Sequence, residues 1–241
     1  MIHDPQIIIV YEPGMFGTTV CNVFAEHPQY RDKDQIKKKF IPEDAPLNAH
    51  ATGYKDILDR FHNMEEFYQD FLKIQDYGKF FKPLKNKGLS IHRLSGWMWL
   101  TVDYKKYFSN FVIGLIVPHK LEVDTWAVRY FESLPQFQQP EYWWKNIKDM
   151  SKVPFWFKRK LSIKERIKML TKNLKFIKQN RQVNRTVKIN PKILFNNDTF
   201  QQFVDECCEK INIPTIKIPR NKLTEHFELN RKKIGFDKIL K

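Results

Sequence analysis

The sequence predicts an α/β protein with a central parallel sheet and helices on both faces. Three observations carry that prediction. The run Ile7-Ile8-Ile9-Val10-Tyr11 is short, apolar and largely β-branched, as a strand covered on both faces would be, and it stops at Glu12-Pro13-Gly14. A second such run, Phe111 to Val117, stops at Pro118. Between and after these runs the apolar residues recur at three- and four-residue spacing, so strands alternate with helices; parallel strands need crossover connections of that kind.

The elements follow in order. After Gly17-Thr18-Thr19 the residues Val20, Val23 and Phe24 share a helical face, so the loop opens into a helix that ends near His27-Pro28. Tyr30 to Thr52 shows no clear period and reads as a long connection. From Tyr54, the stripe Ile57, Leu58, Phe61, Met64, Tyr68, Phe71 and Leu72 predicts an amphipathic helix. Leu89 to His92 is a brief strand candidate, and Trp97 to Tyr107 reads as a variable connection. Trp126, Tyr130 and Phe131 suggest a helix leaving the second buried strand.

Farther on, Ser162 and Glu165 form a capping-box pair, and Ile163, Ile167, Leu170, Leu174 and Ile177 keep one face of a long helix. Val187 to Phe195, interrupted by Pro191, is a last strand candidate. Asp198 and Gln201 cap a helix whose buried stripe is Phe200, Phe203, Val204, Cys207 and Ile211. Asn221 to Ile234 reads as a short basic helix. A chain of 241 residues suits one α/β domain spanning 1–241.

Composition narrows the partners. The formal charge is +15, and Lys145 to Lys192 carries sixteen Lys or Arg against two acids, Asp149 and Glu165. That block favours an anionic partner: a nucleotide, a phosphorylated or sulfated substrate, nucleic acid or an anionic membrane surface. No apolar run is long enough to span a bilayer, and Met1 to Gln6 lacks the cationic start of a signal peptide. Three cysteines, Cys21, Cys207 and Cys208, have neither disulfide-framework nor zinc-site spacing, which fits a cytoplasmic protein. Cys207 and Cys208 read as helix-face residues without chemistry. His3, His27, His50, His62 and His226 have no ligand spacing, and no metal site is expected.

The loop after the first strand is the strongest candidate site. Gly14, Met15, Phe16, Gly17, Thr18 and Thr19 combine glycines, which let backbone N–H groups turn toward a ligand, with hydroxyls at a helix N-terminus. The spacing is Gly-x-x-Gly and no Lys precedes Thr18, so this is not the loop of an ATP kinase.

Here the chain resembles the sulfotransferase family, in which the first strand runs into Pro-[Lys/Arg]-Ser-Gly-Thr-Thr. The matching run is Tyr11-Glu12-Pro13-Gly14-Met15-Phe16-Gly17-Thr18-Thr19, one residue longer after Pro13, with Met15 where the family carries its cation. Leu89-Ser90-Ile91-His92 looks like the family's strand ending in Lys-x-His. Pro118-His119-Lys120 stands 27 residues beyond His92, near the place of the family's Arg-x-Pro strand end. The family's late strand and helix are similar to Ile193 through Cys208, and its C-terminal Arg-Lys-Gly faintly resembles Arg231-Lys232-Lys233-Ile234-Gly235.

The resemblance implies a P-loop NTPase-like sulfotransferase architecture and 3′-phosphoadenosine-5′-phosphosulfate as co-substrate. It implies transfer of a sulfuryl group to the hydroxyl of an acceptor compound or glycan, with no metal. His92 would be the general base, Gly14 to Thr19 would hold the 5′-phosphosulfate, and His119 and Lys120 would stand near the 3′-phosphate. Thr125 is a further candidate contact, and Arg93 or the basic block would replace the cation that Met15 does not supply. Two other readings stay open. One is a nucleotide-binding protein of the same fold without the transfer chemistry. The other is a nucleic-acid-binding protein that uses Lys145 to Lys192, with Trp143, Trp144, Trp156 and Phe157 as stacking platforms.

Overall fold

Residues 1–12, 15–31, 49–50, 71–78, 81, 87–127, 163–180, 182–194 and 196–218 are described by a computed structural model. The expected helix from Tyr54 is described only at 71–73, which are helical. The basic C-terminal segment, including the run Arg231 to Gly235, and the four aromatics at 143, 144, 156 and 157 lie outside the described residues.

Five strands form one parallel sheet: β1 (Gln6–Tyr11), β2 (Ala49–His50), β3 (Ser90–Ser95), β4 (Phe111–Ile116) and β5 (Thr186–Ile189), in the order β2-β3-β1-β4-β5. β1 is central, and every one of its side chains is buried. Ile7, Ile8 and Ile9 are fully enclosed, each stabilising the fold by roughly 2 kcal/mol through apolar burial. Register fixes which side chains share a face. Ile8 pairs with His92 and Ile113, and Ile9 with Arg93 and Gly114.

The face that carries Ile9 and Gly114 is covered by helices α1 (Gly17–Ala25) and α3 (Asn197–Lys210), whose Phe24 and Phe203 rings pack 6.2 Å apart. The face that carries Ile8 and His92 is covered by aromatic side chains from 3-10 turns at Trp97–Thr101 and Tyr104–Lys106. Tyr104 and Phe108 meet Phe111 and His92 there. Helix α2 (Ile163–Lys178) lies over the first of those turns. The expected arrangement of a parallel sheet between helices therefore holds.

Gly114 explains how α3 approaches so closely. A Cβ built there would stand 2.6 Å from Ile9 Cδ1 and 3.0 Å from Phe203 Cζ, so only hydrogen fits between the sheet and the helix. Gly114→Ala is expected to destabilise the protein by about 2 kcal/mol through overpacking, lowering Tm by roughly 5 °C. An unchanged melting curve would show that the interface gives way freely.

Three boundaries differ from the sequence expectation. Much of the segment Trp97 to Tyr107, expected as a variable connection, packs into the core: Trp97, Met98, Trp99 and Leu100 are buried, and Trp97 Nε1 donates to Ile116 O at 3.1 Å. The last strand ends at Ile189, because Pro191 starts a 3-10 turn capped by Asn190. Helix α3 is capped by Asn196, whose Oδ1 accepts from the N–H groups of Asp198 and Thr199, so Asp198 lies inside the first turn. Cys207 and Cys208 are buried on α3, as expected of helix-face residues. Among the described residues no helix is long and apolar enough to cross a membrane, and no cluster of His, Cys, Asp and Glu could hold a metal ion.

Candidate functional site

Strand order locates the place where a ligand can lie. From β1 the chain passes outward to β2, returns to β3 beside β1, and then crosses to β4 and β5 on the other side. The connection after β1 thus runs toward one edge of the sheet and the connection after β4 toward the other. In open α/β sheets ligands occupy the crevice beyond the strand carboxyl ends at such a reversal, here between β1 and β4.

Two candidate segments meet at that edge. The loop after β1 leads into α1, and His119 and Lys120 follow β4, exposed to solvent. The segments touch through Phe16 and Trp126, whose rings are 6.1 Å apart and nearly perpendicular; 123–127 is helical, as expected around Trp126, while Tyr130 and Phe131 lie outside the described residues. His119 also shapes its own turn. Its Nδ1 accepts from Leu121 N at 3.3 Å, while Glu122 Oε2 accepts from His119 N at 3.1 Å and from Asn190 Nδ2 at 2.8 Å. With Nδ1 accepting, the neutral ring carries its proton on Nε2.

At the start of α1 the described residues leave donors without an acceptor. Met15 N donates to Glu12 O at 3.1 Å, and Phe16 takes the left-handed conformation, φ 61° and ψ 21°. The helical ladder begins with Val20 N donating to Phe16 O at 3.2 Å, and no side chain caps the helix. Among the described residues nothing accepts from the N–H groups of Gly17, Thr18 or Thr19. A helix start with three such amides suits an anion.

The loop side chains are turned the other way. Met15 is 1% exposed, Phe16 and Thr19 are buried, and a Cβ on Gly17 would stand 2.2 Å from the Tyr11 ring. Gly17 is therefore required by packing against Tyr11. Met15, in the core, brings no charge to these amides. Gly14 and the Thr18 side chain lie outside the described residues.

His92 is not brought to this edge. β3 continues to Ser95, which pairs with Tyr11, so His92 stands three residues before the strand end, about 10 Å back along the strand. Its ring is enclosed by Phe81 and Phe108, with centroids 5.5 Å and 5.2 Å away. His92 Nε2 lies 2.7 Å from Gln6 Oε1, while Gln6 Nε2 donates to Asp4 O. Gln6 Oε1 must then accept, so His92 carries its proton on Nε2, and Nδ1 is buried without a partner. Burial, and then the charge of Arg31, lower its pKa to about 3.

Arg93 also lies inside, 8% exposed, on the α1 face beside Cys21. Burial pushes the Cys21 thiol up to about 12 despite the opposing effect of Arg93. His3 and His27 stay structural: His3 Nδ1 meets Ser109 Oγ, and His27 bonds Pro214 O and Gln29 N.

A group that the sequence expectation missed is Glu12. Its carboxylate is 2% exposed at the carboxyl end of β1, and Oε1 accepts from Trp97 N at 3.1 Å and from Asn173 Nδ2 at 3.0 Å. This ties β1, the turn after β3 and α2 together directly beneath the loop. The signal was available, because Asn173 falls between Leu170 and Ile177 on the apolar face of its helix, where an amide needs a polar partner.

No family model matches the chain, and no curated protein matches it. A solved structure does resemble it. The sulfotransferase domain from the curacin biosynthetic pathway superposes with a TM-score of 0.38 at 14% identity, over 90% of this chain and 76% of that one. The α/β assignment rests on the sheet itself.

Proposed function

We propose that the chain is a sulfotransferase-like nucleotide-binding protein that takes 3′-phosphoadenosine-5′-phosphosulfate, or its bisphosphate product, in the crevice between β1 and β4. The observation that carries this is the start of α1 at the reversal point of the sheet, where among the described residues nothing accepts from the N–H groups of Gly17, Thr18 and Thr19. In this reading those amides hold the 5′-phosphosulfate, and the exposed His119 and Lys120 meet the 3′-phosphate. The nucleotide supplies the activated sulfuryl group when bound. An acceptor hydroxyl, of a small compound or a glycan, would approach from the solvent side of the edge.

Binding without transfer is the form of this proposal that His92 and Met15 favour. A base must reach the proton it removes, and a ring held about 10 Å behind the strand end by Gln6, Phe81 and Phe108 does not reach a hydroxyl at that edge. The enclosed Met15 removes the cation that would offset charge on the departing group.

Calorimetric titration tests the reading. Adenosine 3′,5′-bisphosphate is expected to bind while ATP and GTP do not, and Lys120→Ala should weaken the bisphosphate roughly fivefold, as loss of one exposed charge contact would. Equal binding of all three nucleotides, or of none, would remove the proposal. Sulfuryl transfer to a panel of hydroxyl acceptors, unaltered by His92→Gln, would restore the transferase reading with a different base.

A further inference from the structure

We infer that α2 presents a binding face for a nucleic-acid strand, separate from the crevice between β1 and β4. Lys164, Lys168, Lys172, Lys175 and Lys178 are all exposed. At 3.6 residues per turn they fall within an arc of about 120°, along about 21 Å of helix. The opposite face is committed to the core: Leu170 and Phe176 are fully buried, and Ile167, Leu174 and Ile177 pack against them. Asn173 fixes the rotation of the helix by reaching Glu12 from that side. The lysines are therefore held outward by the packing of the fold.

The shape of the stripe selects the partner. Five ammonium groups strung over about 21 Å cannot converge on one small anion, whereas a nucleic-acid strand carries a charge every 3.4 Å or so and offers about six phosphates over that length. An anionic membrane surface fits poorly, because interfacial helices add apolar side chains that enter the lipid. The apolar side chains of α2 are used in the core. The large exposed apolar residues among those described, Met1, Leu72, Leu121 and Val183, all lie off this helix. Charge complementarity to evenly spaced phosphodiesters is what the stripe provides.

The test uses the full chain and a fluorescein-labelled twenty-nucleotide thymidine strand, read by anisotropy across a salt series. Binding is expected with a log–log salt slope of about −3, near −0.7 per phosphate contacted. Lys164→Gln with Lys168→Gln, and separately Lys175→Gln with Lys178→Gln, should each reduce the slope by about 1.4 and weaken binding at low salt about tenfold, with circular dichroism and Tm unchanged. Absence of binding, or a slope that neither pair alters, overturns the inference. So does binding of heparin or of phosphatidylserine vesicles that the two pairs abolish while strand binding stays as it was. Adenosine 3′,5′-bisphosphate affinity should be the same in both pairs, so this face and the crevice fail or succeed independently.

Discussion

Glu12→Ala is expected to destabilise the protein by about 3 kcal/mol, the largest loss foreseen for a single side chain near the candidate site. The carboxylate receives hydrogen bonds from Trp97 N and Asn173 Nδ2 where water does not reach, since Glu12 is 2% and Asn173 1% exposed. Truncation leaves both donors buried and unmet, at about 1–3 kcal/mol each before relaxation. Glu12→Gln keeps an acceptor at the same place and should lose only about 1 kcal/mol, because a charge-assisted bond becomes a neutral one. Chemical denaturation of the three proteins measures this directly. If Glu12→Ala and Glu12→Gln are equally destabilised, the carboxylate charge and not the acceptor geometry holds β1 to α2. If neither changes, the contact contributes nothing.

The same cluster shows how far the sequence could be read. β1 and β4 were legible because buried parallel strands need only continuous apolar runs, and Ile7 to Tyr11 and Phe111 to Ile116 are such runs. β3 was legible in part. Arg93 interrupts its apolar pattern, so the strand read as ending at His92, and a histidine at a strand end looks placed for chemistry. In the fold Arg93 is itself buried against the α1 face and β3 runs on to Ser95. That extension of three residues moves His92 from the edge into the core. A charged residue inside a covered strand is a tertiary accommodation, and local pattern does not register it.

The loop was legible in part. Gly17 reads as a glycine that bares backbone to a ligand, and in the fold its absent side chain makes room for the Tyr11 ring. Spacing alone does not separate a glycine needed by a ligand from one needed by a neighbouring aromatic ring. The Trp97 to Leu100 turn was read as a variable connection because it lacks strand or helix period. Its four consecutive buried residues follow from 3-10 geometry, in which short turns bury side chains without a repeating pattern.

His92 makes the stability of the fold depend on pH. In the folded protein its pKa is lowered to about 3, by burial first and by the Arg31 charge second, while the unfolded chain titrates near 6.5. Between those values the unfolded state binds a proton that the folded state refuses, so stability rises with pH through that window. The contribution is whole above pH 6.5 and is lost progressively as pH falls to 3, by several kcal/mol in all. Arg31 cannot move away to ease the cost, since it is clamped by Asp4 Oδ2 at 3.0 Å and by Gly88 O at 2.7 Å. His92→Gln sets an amide N–H where Nε2–H meets Gln6, does not titrate, and should flatten the profile by one proton's worth relative to the parent. Denaturation from pH 7 to 4.5 measures the difference, and carboxylates common to both proteins cancel. Parallel profiles for the two proteins, or a His92 imidazole proton resonance (identified by its loss in His92→Gln) that titrates near pH 6.5 in the folded state, would mean that the ring is open to solvent. The exclusion of His92 from proton transfer at the sheet edge would then no longer hold.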